Sequence, residues 1–344
     1  MSTLLQLDCI APRLLGPVPA TLADAVRTAG EFPNLAWLLA RANSAPAAGD
    51  SAESLLANCI DGLPAPGPLV AAGHGLAPDS HCYRAAPVHL RADRDRLLLF
   101  AGEALEPDPE DALRLVDEFN AAFAEDGLSL TVADGDWLLF AKAPPGPDLP
   151  PLTRVAGQYM DTVLPTDAAA RPWRQLLNEV QMMLHEHPVN QAREARGEAA
   201  INGLWFWGGG PSAAPAVPLP GAVIGTDALS RGLTRPGDAA LAGIEALAGH
   251  HDAMASSNAA GSQSALMVWT DAEAALTGGD APGWLDALQR FERDVAGPLA
   301  PMAARGQLGL RLFCGNGLVY TLGAGARWRF WRRPGPLAKR ITRE

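Results

Sequence analysis

The side chains best suited to chemistry lie in a few dense patches separated by long apolar stretches. The densest runs through His187, Asn190, Arg193, Arg196 and Asn202, within WRQLLNEVQMMLHEHPVNQAREARGEAAINGLWFWGGG, residues 173–210. Two arginines three residues apart, with amide and imidazole groups beside them, suit a phosphate or carboxylate, because guanidinium groups hold such oxygens through charge-assisted hydrogen bonds. The same residues also allow a structural arrangement, with His187 half-buried, Asn190 capping a turn and the arginines paired to Glu186, Glu194 or Glu198. A second patch, GHGLAPDSHCYRAAPVHLRADRD, holds His74, Asp79, Ser80, His81, Arg84 and His89. Asp79 and Ser80, ahead of a turn or helix, are of the types that serve as caps. Asp8, His81, His251 and Asp271 are of the side-chain types that bind metal ions. Adjacent His250 and His251 cannot both face one ion from a regular helix, and His185 and His187 face apart for the same reason. The HExH spacing is not the HExxH of zinc peptidases.

The elements that must position these groups follow from spacing. Trp173, Leu176, Leu177, Val180, Met183, Leu184 and His187 recur at three and four residues, which predicts a helix with one buried face. Pro188 is expected to stop it, since the residue before a proline is pushed out of helical geometry. Residues 204–207 then read as an apolar strand running into Gly208-Gly209-Gly210, whose free N–H groups would lie at a strand's carboxyl end, where open α/β sheets bind ligands.

The run HPVNxxRxxxGxxxxN, followed by an apolar strand and glycine, resembles a segment of the archaeal-type cofactor-independent phosphoglycerate mutases of the alkaline phosphatase superfamily. In its fuller form, LLNEVQMMLHEHPVNQAREARG with INGLWFWGGG, it is similar to the bacterial RpfE-type regulatory proteins. The resemblance implies an α/β fold: a three-layer alkaline-phosphatase-like core with a mainly parallel sheet (1–90 and 200–344), a small inserted α+β subdomain of ferredoxin-like character (91–165), and a connecting helix and HPVN turn (166–199). It also implies a serine nucleophile near Ser80 and a two-metal centre, with manganese or zinc if active, whose ions sit about 3.5–4 Å apart and steady the attacking and leaving oxygens. Several family positions are changed. Cys9 stands where a glycine follows the metal-binding aspartate of the first strand, so that Asp8 is a remnant. Aligning Asp271 with an Asp…His pair puts Ala275 at the histidine, and Cys314-Gly315-Asn316-Gly317 stands where Asp-His is expected. The expectation is therefore a mutase-like protein with a degenerate metal site and no resident cofactor, regulatory through an anionic metabolite or a protein partner. The alternatives are an active mutase or phosphoesterase, and a non-enzymatic module that binds a partner through Trp-rich surfaces.

Composition bounds these readings. The chain has 344 residues, 48% of them apolar, enough for a large core. A net charge of -11 argues against general nucleic-acid binding, which needs clustered cations. Residues 327–333, RWRFWRR, form a local basic patch and read as a charged edge strand. Cys9, Cys59, Cys82 and Cys314 are scattered without a CxxC pair, as expected of a reducing cytoplasm. No run reaches the roughly twenty apolar residues of a bilayer span and no signal peptide is evident, so no membrane association is expected.

Along the chain, residues 4–10 read as a first strand, and 21–40 as helix broken at Phe32-Pro33-Asn34. A βαββ unit follows: strand 97–101, helix 108–124, and strands 128–132 and 137–141 joined through Ala133-Asp134-Gly135-Asp136. Residues 265–269 read as a buried strand, and 308–313 with 318–322 as a hairpin over Asn316-Gly317, since Asp-Gly and Asn-Gly between apolar runs mark tight turns.

Overall fold

The computed structural model describes residues 4–76, 80–211, 221–225, 227–234, 241, 243–246 and 264–343. Its described strands are β1 (Leu5–Ile10), β2 (Asn43–Pro46), β3 (His81–Asp93), β4 (Arg96–Phe100), β5 (Leu128–Ala133), β6 (Asp136–Ala141), β7 (Gly203–Pro211), β8 (Ala222–Ile224), β9 (Ser264–Val268), β10 (Leu308–Phe313) and β11 (Leu318–Leu322). The chain forms two compact units, one of residues 1–63, 216–276 and 280–344, the other of 64–215 and 277–279. The expected borders at 90/91, 165/166 and 199/200 fall inside the second unit, and β3 runs across the first of them.

The first unit holds a six-stranded sheet in the order β2-β11-β10-β1-β9-β8. β10, β1, β9 and β8 are parallel neighbours, while β11 and β2 add an antiparallel edge. Leu5, Leu7 and Cys9 on β1 alternate into a core shared with Leu308, Leu310 and Leu312 on β10. That two-residue period puts Gln6 and Asp8 on the other face. Segment 327–333 is not a strand: a 3-10 turn spans Ala324–Trp328, and the sheet edge is β2. The run alternates arginine with aromatics only over 327–330 and breaks at Phe330-Trp331, and Trp328, Phe330 and Trp331 are exposed, so no face of it is buried as a half-buried strand requires.

The second unit is built on β3, which the polar residues of 81–93 conceal in the sequence. Cys82, Tyr83 and Ala85 to Val88 are buried, because β3 has neighbours on both edges: β7 along residues 81–88 on one side, and on the other β6 as far as Ala85, then β4 from His89. Pro87 falls between those last two. Val88 O accepts from Asn202 N on the β7 side at 3.2 Å, so Pro87, one residue earlier, faces the interval where its missing N–H costs no ladder bond. β7 therefore belongs to this antiparallel sheet and not to the parallel one. The expected βαββ elements are present, with the helix at Pro109–Phe123 capped by Asp108. Asp134 (φ 48°) and Gly135 (φ 85°) take the left-handed conformations that a tight hairpin needs.

Candidate functional site

The stretch from the amphipathic helix to β7 is the expected ligand site, and the structure gives most of its candidate residues defined partners within the chain. The helix spans Arg171–Leu184 and buries Trp173, Leu176, Leu177, Val180 and Leu184. The helix ends ahead of Pro188, as expected, with His187 in extended geometry (ψ 136°) before the proline. Pro188 opens a second helix, Pro188–Ala195, at a first-turn position where a proline's missing N–H would have had no helical partner. His187 caps that helix: its Nδ1 accepts from Val189 N at 3.1 Å while Nε2 lies 2.9 Å from Glu118 Oε2.

Asn190 is buried. Its Nδ2 donates to Leu184 O (2.8 Å) and Ile201 O (2.7 Å), and its Oδ1 accepts from Ile201 N (2.8 Å). Buried Arg193 donates to Ala199 O and Ala104 O, each at 2.9 Å, with Glu198 at 3.6 Å. Exposed Arg196 makes a bidentate pair with Glu198. Asn202 prolongs the ladder beyond β7, accepting from Leu90 N (2.6 Å) and donating to Leu90 O (2.9 Å). His89 Nδ1 donates to Ala200 O at 2.8 Å. The HPVN…R…N pattern thus clamps the return from helix to strand. His187, Asn190, Arg193, Asn202 and His89 aim their polar atoms at backbone groups or at Glu118.

The triple glycine likewise serves close approach. A Cβ on Gly209 would lie 1.8 Å from the Tyr83 ring, and one on Gly210 2.8 Å from Ala65 Cβ. Gly208 to Gly210 continue as strand, and Gly209 N donates to Asp148 Oδ1 at 3.1 Å. Trp205 and Trp207 are buried, so neither presents a face to a partner.

His81 opens β3, and Ser80 stands just before it. Ser80 Oγ is buried without a hydrogen-bond partner. It lies on a cavity of about 620 Å³ together with Ser129, Phe140 and Lys142. Arg84 is drawn elsewhere, donating to Asp136 Oδ1 at 3.2 Å and lying over Trp207 at 5.1 Å. Asp136 also accepts from His74 Nε2 at 3.0 Å, with Asp134 3.8 Å from Nδ1. Nothing in the sequence flagged this His74–Asp136–Arg84 network, because its members meet only through the hairpin's packing.

Asp8 and Asp271 belong to the first unit, His81 to the second, and His251 lies outside the described residues. Arg311, in register with Asp8 on the neighbouring parallel strand, binds it in a fork: Nε to Oδ1 at 2.6 Å and NH2 to Oδ2. Asp271, at the start of a helix just past β9, pairs with Arg290 at 3.1 Å. A guanidinium on both oxygens of Asp8 supplies there the positive charge that a divalent ion would bring. Burial favours the protonated form of the thiols. Burial and then the Asp8 carboxylate push Cys59 up to about 12, and burial raises Cys82 to about 12 and Cys9 and Cys314 well above their ordinary value.

No family model matches the chain. A probable 2,3-bisphosphoglycerate-independent phosphoglycerate mutase of Geobacter sulfurreducens is 28% identical over 173 residues, covering 46% of this chain and 43% of that protein. The chain is distantly homologous to the cofactor-independent phosphoglycerate mutases. It spans less than half the length of that relative. Among solved structures, the PH0037 protein of Pyrococcus horikoshii superposes with a TM-score of 0.54 at 15% identity, covering 100% of this chain and 94% of that one, which establishes a shared α/β fold. A cofactor-independent phosphoglycerate mutase of Thermoplasma acidophilum covers 93% of this chain at 18% identity, but its TM-score of 0.42 is too low to argue from. Among the described residues, no helix is long and apolar enough to cross a membrane.

Proposed function

We propose that this chain is a mutase-like protein of the RpfE regulatory type, whose metal centre is degenerate and which acts by binding an anionic metabolite or a protein partner. The observation that carries this reading is the Asp8–Arg311 fork. The acid that would seed the metal site is neutralised by a permanently charged arginine on the adjacent strand, in a pairing that the parallel register enforces. Four free cysteines fit residence in the cytoplasm. The test is metal analysis of the purified protein alongside 3-phosphoglycerate turnover. The expected result is substoichiometric manganese and zinc and no turnover, and a stoichiometric metal with turnover lost in Ser80→Ala would overturn it. A thermal-shift screen with phosphoglycerates, sugar phosphates and nucleotides then reports a bound metabolite through its rise in Tm.

One observation favours the active alternative: Ser80 Oγ stands unpartnered beside a cavity that also holds Lys142. In that reading Ser80 is the nucleophile, and Ser80→Ala removes turnover without lowering Tm. In the binding reading, Ser80→Ala leaves ligand-induced shifts intact.

A further inference from the structure

Two parts of the surface carry opposite charge and share exposed apolar side chains. Seven of the 27 Lys and Arg, and one of the 38 Asp and Glu, lie in the last 18 residues. Within that run Trp328 (64% exposed), Phe330 (74%) and Trp331 (65%) stand in solvent. Such side chains are costly to leave wet, and contiguous exposed aromatics flanked by arginine mark docking surfaces. The patch is held in shape: Arg329 donates to Arg41 O and Arg332 to Ala42 O, each at 2.7 Å, while Arg327 lies over Trp328 at 4.9 Å. Because these bonds fix the backbone beforehand, less conformational entropy is lost when the patch is covered.

The complementary surface is the helix Pro109–Phe123 and its flanks. Residues 103–126 hold nine Asp and Glu against a single Arg114. The helix buries Ala112, Leu115, Val116 and Phe119, which turns Glu110, Leu113, Arg114, Asp117 and Glu118 outward, with Glu110 paired to Arg114 and Glu118 to His187. Leu113, 55% exposed, is thus an apolar knob with Glu110 and Asp117 beside it at three- and four-residue spacing. An apolar centre inside a charged rim is the usual anatomy of a protein interface.

We propose that the aromatic–arginine patch of one copy docks on the acidic Pro109–Phe123 face of a second copy, in a head-to-tail contact. Charge complementarity selects this occupant. With the basic run set apart, the remainder of a chain of net charge -11 is more acidic still and repels a long polyanion such as nucleic acid, whereas a second copy offers matching carboxylates around one leucine. A contact between two different surfaces does not close on itself, so association grows with concentration.

Sedimentation velocity of the full chain at low salt tests this, with Trp328→Ser/Trp331→Ser and Leu113→Lys as variants. All the replaced side chains are exposed, and circular dichroism verifies that the variants fold. The expected result is that wild-type mass rises with concentration and falls with added salt, and that each variant associates about tenfold more weakly or not at all. Mixing the two variants restores a one-to-one dimer that does not grow, because each supplies the surface the other lacks. A wild type that stays monomeric overturns the proposal, as does a Leu113→Lys protein that still associates like wild type, or a mixture that remains monomeric. Binding of single-stranded oligothymidylate by the wild type, lost in the tryptophan variant and without self-association, overturns it in favour of a nucleic-acid surface. None of these outcomes depends on phosphoglycerate turnover or metal content.

Discussion

Asn190 ties the return from helix to strand through one buried amide. It donates to Leu184 O, which also accepts from His187 N, and exchanges two bonds with the Ile201 backbone, whose N–H and carbonyl would lose them on truncation. Removing one partner of a buried hydrogen bond leaves the other unsatisfied at about 1–3 kcal/mol. Asn190→Ala is therefore expected to cost about 3 kcal/mol or more in urea denaturation, with circular dichroism as the readout. Arg196→Ala should leave the midpoint unchanged, since its partner Glu198 shares an exposed surface pair. A midpoint that moves equally in both variants would contradict the clamp. At Asp8 the same reasoning is electrostatic. Arg311→Gln removes the fork and strands a carboxylate beside the Cys59 thiol, so Cys59, already raised by burial and Asp8, moves higher still because the arginine that lowers it is gone. Thiol-reagent kinetics at a fixed alkaline pH should show Cys59 reacting more slowly in Arg311→Gln than in wild type.

At the scale of elements, β7 and β3 meet so closely that side-chain volume decides the fit. A methyl on Gly209 would sit 1.8 Å from the ring of Tyr83, and forcing volume into a filled contact costs about 1–3 kcal/mol and sometimes more. Gly209→Ala is expected to fall at the upper end of that range. Pairing it with Tyr83→Leu should recover part of the loss, measured as a coupling energy in a double-mutant cycle. Additive losses would place the strain elsewhere. The same pair of strands marks where the sequence stops being legible. The hairpins over Asp134-Gly135 and Asn316-Gly317, the strands flanking them and the helix after Asp108 could all be read, because turn chemistry and caps act over a few residues. Sheet membership could not, since the pattern of residues 204–207 is equally apolar in a parallel or an antiparallel sheet. Strand β3 was hidden by its polar residues, and Pro188 was legible as the stop of one helix but not as the start of the next. At the candidate site the residue types were visible but their partners were not: Arg311 faces Asp8 only once β10 lies beside β1 in register, 303 positions along the chain.

The whole molecule carries a pH signature set by its thiols, and the sign follows from which state holds the proton. Cys82 is fully buried and burial pushes its thiol from 9.0 to about 12; Cys59 stands at about 12, and Cys9 and Cys314 are raised further by burial. Below pH 9 both folded and unfolded chains keep these protons, and stability is insensitive to them. Above pH 9 the unfolded chain releases protons that the folded chain retains, so each thiol removes stability at about 1.4 kcal/mol per pH unit until its folded value is reached. Tyr83, raised from 10.0 to about 12 by burial and then by Asp148, adds to the same slope above pH 10. Urea unfolding at stepped pH should therefore show stability falling steeply from pH 9 upward, with no corresponding loss between pH 7 and 9. Cys82→Ala isolates one contribution: its stability-versus-pH slope above pH 9 should be shallower than that of wild type by one proton. Were Cys82 open to solvent through a breathing β3, its proton would leave both states at the same pH, and the two slopes would coincide.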